Sequence, residues 1–215
     1  MSIWKQASAM AAQTPPQRNR YADFLRAMSI LFVIVGHWLV AAVFVLPESG
    51  AVQVADLQQL RPGTQWISWL FQVMPVFFMV GGYANALSIR SSQAKGIVYA
   101  EWLYARLARL MRPLLLLMVT WLVLAFLMRA FDAELETVRY VSQGALVPTW
   151  FLAIYTLIVM LAPWSYRLWL QFGYRSWLVF VALSLTVDAL YFLQQWHWLG
   201  WSNYLWIWLA VHPLG

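Results

Sequence analysis

Three residues near the N-terminus have the types and spacing that proton-transfer chemistry needs: Asp23, Arg26 and His37, within DFLRAMSILFVIVGH. An imidazole can accept and return a proton at cellular pH. A guanidinium offers a fixed positive charge and a fork of donors. On a helix, positions eleven apart project within about 20° of each other and stand roughly 16 Å apart along the axis. Asp23 precedes Arg26 by three residues, so the two can pair on one face. The stripe runs through Phe24 to Leu46, a stretch otherwise apolar enough to cross a bilayer. A lipid-facing charge at mid-helix costs roughly 2.5–3.5 kcal/mol even on lenient insertion scales. The stripe is therefore expected to face a polar cavity, with Arg26 at the membrane boundary and His37 near mid-span. The plainer alternative makes Asp23 and Arg26 boundary anchors and His37 a helix-packing hydrogen-bonder.

The elements that must hold these residues are transmembrane helices. Of the 215 residues, 63% are hydrophobic and only 10% charged, against about a quarter charged in a soluble domain. The 15 Trp and 10 Tyr suit a chain with long membrane interfaces to anchor. The apolar runs are continuous rather than alternating, which excludes a membrane barrel and predicts an all-α polytopic bundle. Spans of about 20 residues fall near 24–46, 66–89, 113–131, 148–165, 176–194 and 199–215. Eleven of the 14 Lys and Arg fall in segments on one side if the N-terminus is cytosolic, leaving Arg61, Arg129 and Arg139 outside. That bias predicts an N-in topology. Residues 1–20 read as a cytosolic leader and 21–215 as one membrane domain. Cysteine is absent, which removes disulfide and thiolate chemistry. Three His and few acids argue against a metal cage. The +6 charge is a topology signal, with no nucleic-acid partner expected.

Other polar residues fall inside spans. Asn85 lies in the second, Asp188 in the fifth and His212 in the sixth; a buried acid such as Asp188 is expected to be paired or protonated. His197, in QQWHWLGW, reads as an outer-interface residue. Gly81 and Gly82 permit close approach of another helix or of a ligand, with helix packing the more ordinary use.

The residues around His37 resemble the first-span signature of the acyltransferase 3 family, in which D-x-x-R is followed by ten residues and a histidine. MPVFFMVGGYANAL, Met74 to Leu87, is similar to that family's FF-x-x-SG segment, with Gly81 in place of the serine. YARLARLMRPLLLL resembles its R-x-x-R segment through Arg106 and Arg109, and PTWFLAIYTLIVMLAP, from Pro148, resembles the W-F-L start of a later span. The order and spacing of these pieces cover roughly residues 18–165. Family members have about ten spans and this chain about six, so the domain is expected to be incomplete at its C-terminal end.

The resemblance implies a multi-pass O-acyltransferase of the bacterial cytoplasmic membrane. It would move an acyl group, acetyl in the first instance, from cytosolic acyl-CoA to a hydroxyl of a carbohydrate or lipid-linked acceptor. The donor is a substrate, and no metal is implied. His37 would be the general base or an acyl relay, Arg26 would hold negative charge, and Asp23 would orient Arg26. Arg106, Arg109 and Arg112 would meet the phosphates of coenzyme A, guanidinium being suited to bidentate phosphate contact; plain positive-inside topology is the competing account. Membrane lipid is an expected partner, and so is a second copy or a partner chain. Two rival functions are a proton-coupled carrier, which should show inverted repeats, and an inactive truncated membrane protein.

Overall fold

The structure, a computed structural model, describes residues 2–15, 18–45, 52–61, 63–146 and 149–215. In chain order the helices are α1 (Ile3–Ala12), α2 (Arg20–Val40), α3 (Leu57–Leu60), α4 (Gln65–Leu70), α5 (Met74–Ala94), α6 (Tyr99–Ala130), α7 (Leu135–Leu146), α8 (Trp150–Phe172), α9 (Tyr174–Leu193) and α10 (Gly200–Val211). Among the described residues, five helical stretches are long and apolar enough to cross a membrane: Arg20–Leu39, Gln65–Ala94, Tyr99–Ala130, Trp150–Phe172 and Tyr174–Leu193. The expected sixth span resolves into α10, of 12 residues, and a short 3-10 turn at His212–Leu214. The protein is an all-α polytopic membrane bundle, with one local exception among the described residues.

The exception is an antiparallel hairpin, β1 (Ala41–Val45) and β2 (Val52–Asp56), in the register Ala41↔Asp56 to Val45↔Val52. It corrects the expectation that the first span continues to Leu46, a residue outside those described. Val43, Phe44, Val45, Val52 and Val54 are the β-branched and aromatic types that suit strands. Apolarity alone cannot separate such a run from a helix end.

The chain divides into two compact units, Met1–Val80 and Gly81–Gly215, with the division inside α5. In the first unit the fully buried points on the packed stripe of α2 are small residues. Ser29 and Gly36 are buried, and a Cβ on Gly36 would lie 2.9 Å from Cβ of Phe71. The ring of Phe71 also meets Phe32 at 5.5 Å.

In the second unit α8, α9 and α10 pack together, and α6 lies against α8. The α6–α8 contact is built on buried Trp102, Val159, Ala162 and Ile89, flanked by Leu103, Leu110, Tyr155 and Tyr166. Beyond Pro113, α6 exposes Leu115, Leu116, Met118, Val119, Leu122, Val123 and Phe126. A helix apolar all round belongs in hydrocarbon. At 32 residues α6 is about 48 Å long, well over the roughly 30 Å of a bilayer core. Its charged first turns therefore extend past the hydrocarbon. The span expected near 113–131 is thus the later part of a longer helix, and Arg106, Arg109 and Arg112 lie on its earlier turns, in a sequence of good helix formers.

Candidate functional site

The continuity of α2 from Arg20 to Val40 confirms the geometry expected of Arg26 and His37 as positions, within about 20° and roughly 16 Å apart. The depth differs from expectation. Because α2 ends at Val40, His37 falls in its last turn rather than at mid-span. The surroundings differ too: Arg26 and His37 are exposed, not enclosed. The packed stripe follows Ala22, Leu25, Ser29, Phe32 and Gly36, which leaves Arg26 and His37 about 80–100° from its centre. They flank that stripe, while Phe24, Leu31, Ile34 and Trp38 occupy the far side and are 51% or more exposed.

One contact fixes the chemistry available at His37. Its Nδ1 lies 2.7 Å from the carbonyl oxygen of Val33, one turn back. A carbonyl only accepts, so Nδ1 carries the hydrogen and donates it. The neutral ring then has its lone pair on Nε2, the form a general base requires.

Asp23 takes a different partner from the one its spacing suggests. Its carboxylate accepts from Arg18, Nε to Oδ2 at 2.5 Å and Nη2 to Oδ1 at 3.1 Å. The fork-to-fork geometry favours Arg18, which approaches from the segment before α2 and can present both donors. The same bonds hold the Arg18 guanidinium above its ordinary pKa, by hydrogen bonding first and by charge second. Asp23 thus anchors the start of α2 to the preceding segment, and its expected pairing with Arg26 gives way to this one.

The three arginines of α6 separate as well. Arg106 is half-buried, donates from Nη2 to the carbonyl oxygen of Ala84 at 3.0 Å, and lies 5.9 Å over the ring of Trp102. Trp102 itself donates to Ser88 at 3.0 Å. Arg106 therefore ties α6 to α5. Arg109, 60° round the helix by the same geometry, and Arg112 are exposed.

Three polar groups that sequence reasoning singled out without assigning a role find structural partners. Asn85 and His212 are both buried, with Asn85 Nδ2 3.1 Å from His212 Nε2. They line a cavity of about 150 Å³ together with Gly82, Ser165 and Tyr166. Gly82 faces the backbone carbonyl of His212 so closely that a Cβ would collide with it. Gly81 faces the ring of Tyr155, 2.9 Å from where a Cβ would stand. Both glycines thus serve close packing. Asp188 accepts from Asn203 Nδ2 at 2.6 Å. Asn203 carried no signal in the sequence, because its partner lies on the preceding helix.

The Asn85–His212 pair yields a stability prediction. Removing one partner leaves a buried polar group unpaired, at about 1–3 kcal/mol. Asn85→Leu and His212→Leu should each lower the midpoint of unfolding, and the double variant should lose less than the sum. Strict additivity in equilibrium unfolding in detergent would show that the two do not interact.

Among the described residues, no group of three or more His, Cys, Asp or Glu is placed to hold a metal ion. The start of the W-F-L segment at Pro148 lies outside the described residues; Trp150, Phe151 and Leu152 open α8.

The profile of the acyltransferase 3 family, described as an acyltransferase domain, matches residues 19–215. The chain belongs to that family. The match takes in Arg26, His37 and the arginines of α6. No curated protein and no solved structure matched the chain.

Proposed function

We propose that this membrane acyltransferase moves an acyl group, acetyl in the first instance, from cytosolic acyl-CoA to a hydroxyl of a glycan or lipid-linked acceptor. The observation that carries the reading is His37: it stands in the family match, with Nδ1–H bonded to Val33 and Nε2 left as a base. Nε2 takes the proton of the acceptor hydroxyl as its oxygen attacks the thioester carbonyl. A C–O bond forms, the C–S bond breaks, and the imidazolium returns the proton to the departing thiolate. The products are an ester and free coenzyme A, with no redox change.

Arg26 serves the other end of the donor. Helical side chains lean toward the N-terminus, so Arg26 and His37 shift the same way and stay roughly 16 Å apart. Hydrogen bonds reach about 3 Å. Arg26 therefore does not touch the atoms that react at His37; its proposed role is to hold a phosphate of the donor. Exposed Arg109 and Arg112, on α6, are candidate donor-phosphate contacts in their own right, in the N-in topology of a bacterial cytoplasmic membrane.

The test is thiol release from acetyl-CoA by protein in lipid nanodiscs, followed with a thiol reagent. Release dependent on an added hydroxyl acceptor supports the reading, and none with any acceptor overturns it. The double variant Arg109→Gln/Arg112→Gln should raise KM for acetyl-CoA roughly tenfold, the size of one or two lost hydrogen bonds to charged groups. Its kcat should be unchanged, and higher salt should narrow the difference. An unaltered KM would remove both residues from the donor site.

A further inference from the structure

A cleft of about 430 Å³ opens between the end of α9, the turn after it and the start of α10. That volume falls within the range of small-molecule sites. Its walls include Asp188, Tyr191, His197, Trp201, Asn203 and Tyr204. Nothing in the proton-transfer scheme at His37 uses these residues.

Two features point to a ligand. The first is an orphaned atom. The Asp188 carboxylate only accepts, so the bond of 2.6 Å requires the amide nitrogen of Asn203 to face it. The amide oxygen is then turned elsewhere, and it is buried without a hydrogen-bond partner, on a side chain of a residue only 7% exposed. A buried acceptor without a donor is costly and rare; this one lies beneath the cleft surface, and a turn of the Asn203 side chain, which lines the cleft, would bring it to a ligand hydroxyl that supplies the donor. Asp188 keeps further acceptor capacity, because a carboxylate has about four lone-pair sites.

The second feature is an aromatic platform. Trp201 is 80% exposed and its ring lies 6.0 Å from Tyr204, which is backed by Trp150 at 5.8 Å. On the other wall Tyr191 meets His197 edge-on at 4.8 Å. Gly200 lets Tyr191 approach, since a Cβ there would stand 2.9 Å from the Tyr191 ring. Aromatic faces carry negative charge density and attract the slightly positive C–H face of a ring.

The combination selects a ligand class. No Lys or Arg lines the cleft, so it does not suit a phosphate. It holds a single acid, too little for a divalent cation. A neutral ring with a C–H face and a rim of hydroxyls matches both the platform and the acceptors. We infer that this cleft seats a sugar ring of the acyl acceptor. The inference rests on the acyl-transfer reading and deepens it. The charge distribution puts the turn between α9 and α10 on the outer side.

Binding can be measured without the reaction. Protein in nanodiscs, with no acyl-CoA present, is titrated by saturation-transfer NMR with four methyl glycosides: those of glucose, mannose, rhamnose and N-acetylglucosamine. At least one should bind. Trp201→Ala and Asp188→Asn should each weaken it about tenfold, while His37→Ala binds as the wild type does. Trp201 is exposed enough that its removal leaves the fold intact, which a melting curve checks. The inference is overturned if none of the four binds, or if Trp201→Ala binds as tightly as the wild type. Saccharide binding without thiol release would keep the cleft and remove the acyl-transfer reading. Thiol release without saccharide binding would do the reverse.

Discussion

His37→Ala should lower acetyl transfer by about 10²–10⁴-fold, the usual contribution of a positioned general base. The loss should appear in kcat, with KM for acetyl-CoA little changed, because His37 stands roughly 16 Å from the arginine assigned to the donor phosphate. His37→Gln should fare no better, since an amide cannot take a proton at neutral pH. Initial rates of thiol appearance over a range of donor concentrations give both parameters. The base role also predicts that no acetyl label stays on the protein when the reaction is quenched with acid. Stoichiometric label on His37 would replace the base role with an acyl relay.

Gly82→Ala should be the most destabilising single-methyl substitution in the second unit. The added Cβ would run into the carbonyl oxygen of His212, and backbone cannot rotate aside as a side chain can. Overpacking of this kind costs about 1–3 kcal/mol. The shift that relieves it would pull His212 away from Asn85, which lies one turn along α5 from Gly82. Loss of that buried bond adds about 1–3 kcal/mol. Gly81→Ala is the control: its Cβ meets the outer ring atoms and hydroxyl of Tyr155, which can swing. Melting in detergent should show a large drop for Gly82→Ala and a small one for Gly81→Ala. Equal drops would mean that the backbone contact at Gly82 is not what limits packing.

What the sequence revealed and what it hid divide along physical lines. The starts of spans were legible where charge meets an apolar run, as at Arg20 and Arg175. The end of α2 was not, because Ala41 to Val45 is as apolar as the helix and only its β-branched content marks the strand. That error moved His37 from the last turn to mid-span. The shared stripe of Arg26 and His37 was legible because it needs only helical periodicity. The partners of Asp23 and Arg106 were not. Each is set by which group can offer the better donor or acceptor geometry: Arg18 with two parallel donors, Ala84 with a backbone carbonyl beside Trp102. Asn203 was invisible for a similar reason. Its partner Asp188 is 15 residues away across a turn, and no spacing rule within one helix joins them.

Inverted membrane vesicles carrying the protein, given acetyl-CoA labelled in the acetyl group, separate acyl transfer from transport. Label should appear in an alkali-labile ester of the glycan or glycolipid fraction, with one free thiol per ester, and His37→Ala should lose both. Solute or proton flux with no thiol released and no ester formed would contradict acyl transfer.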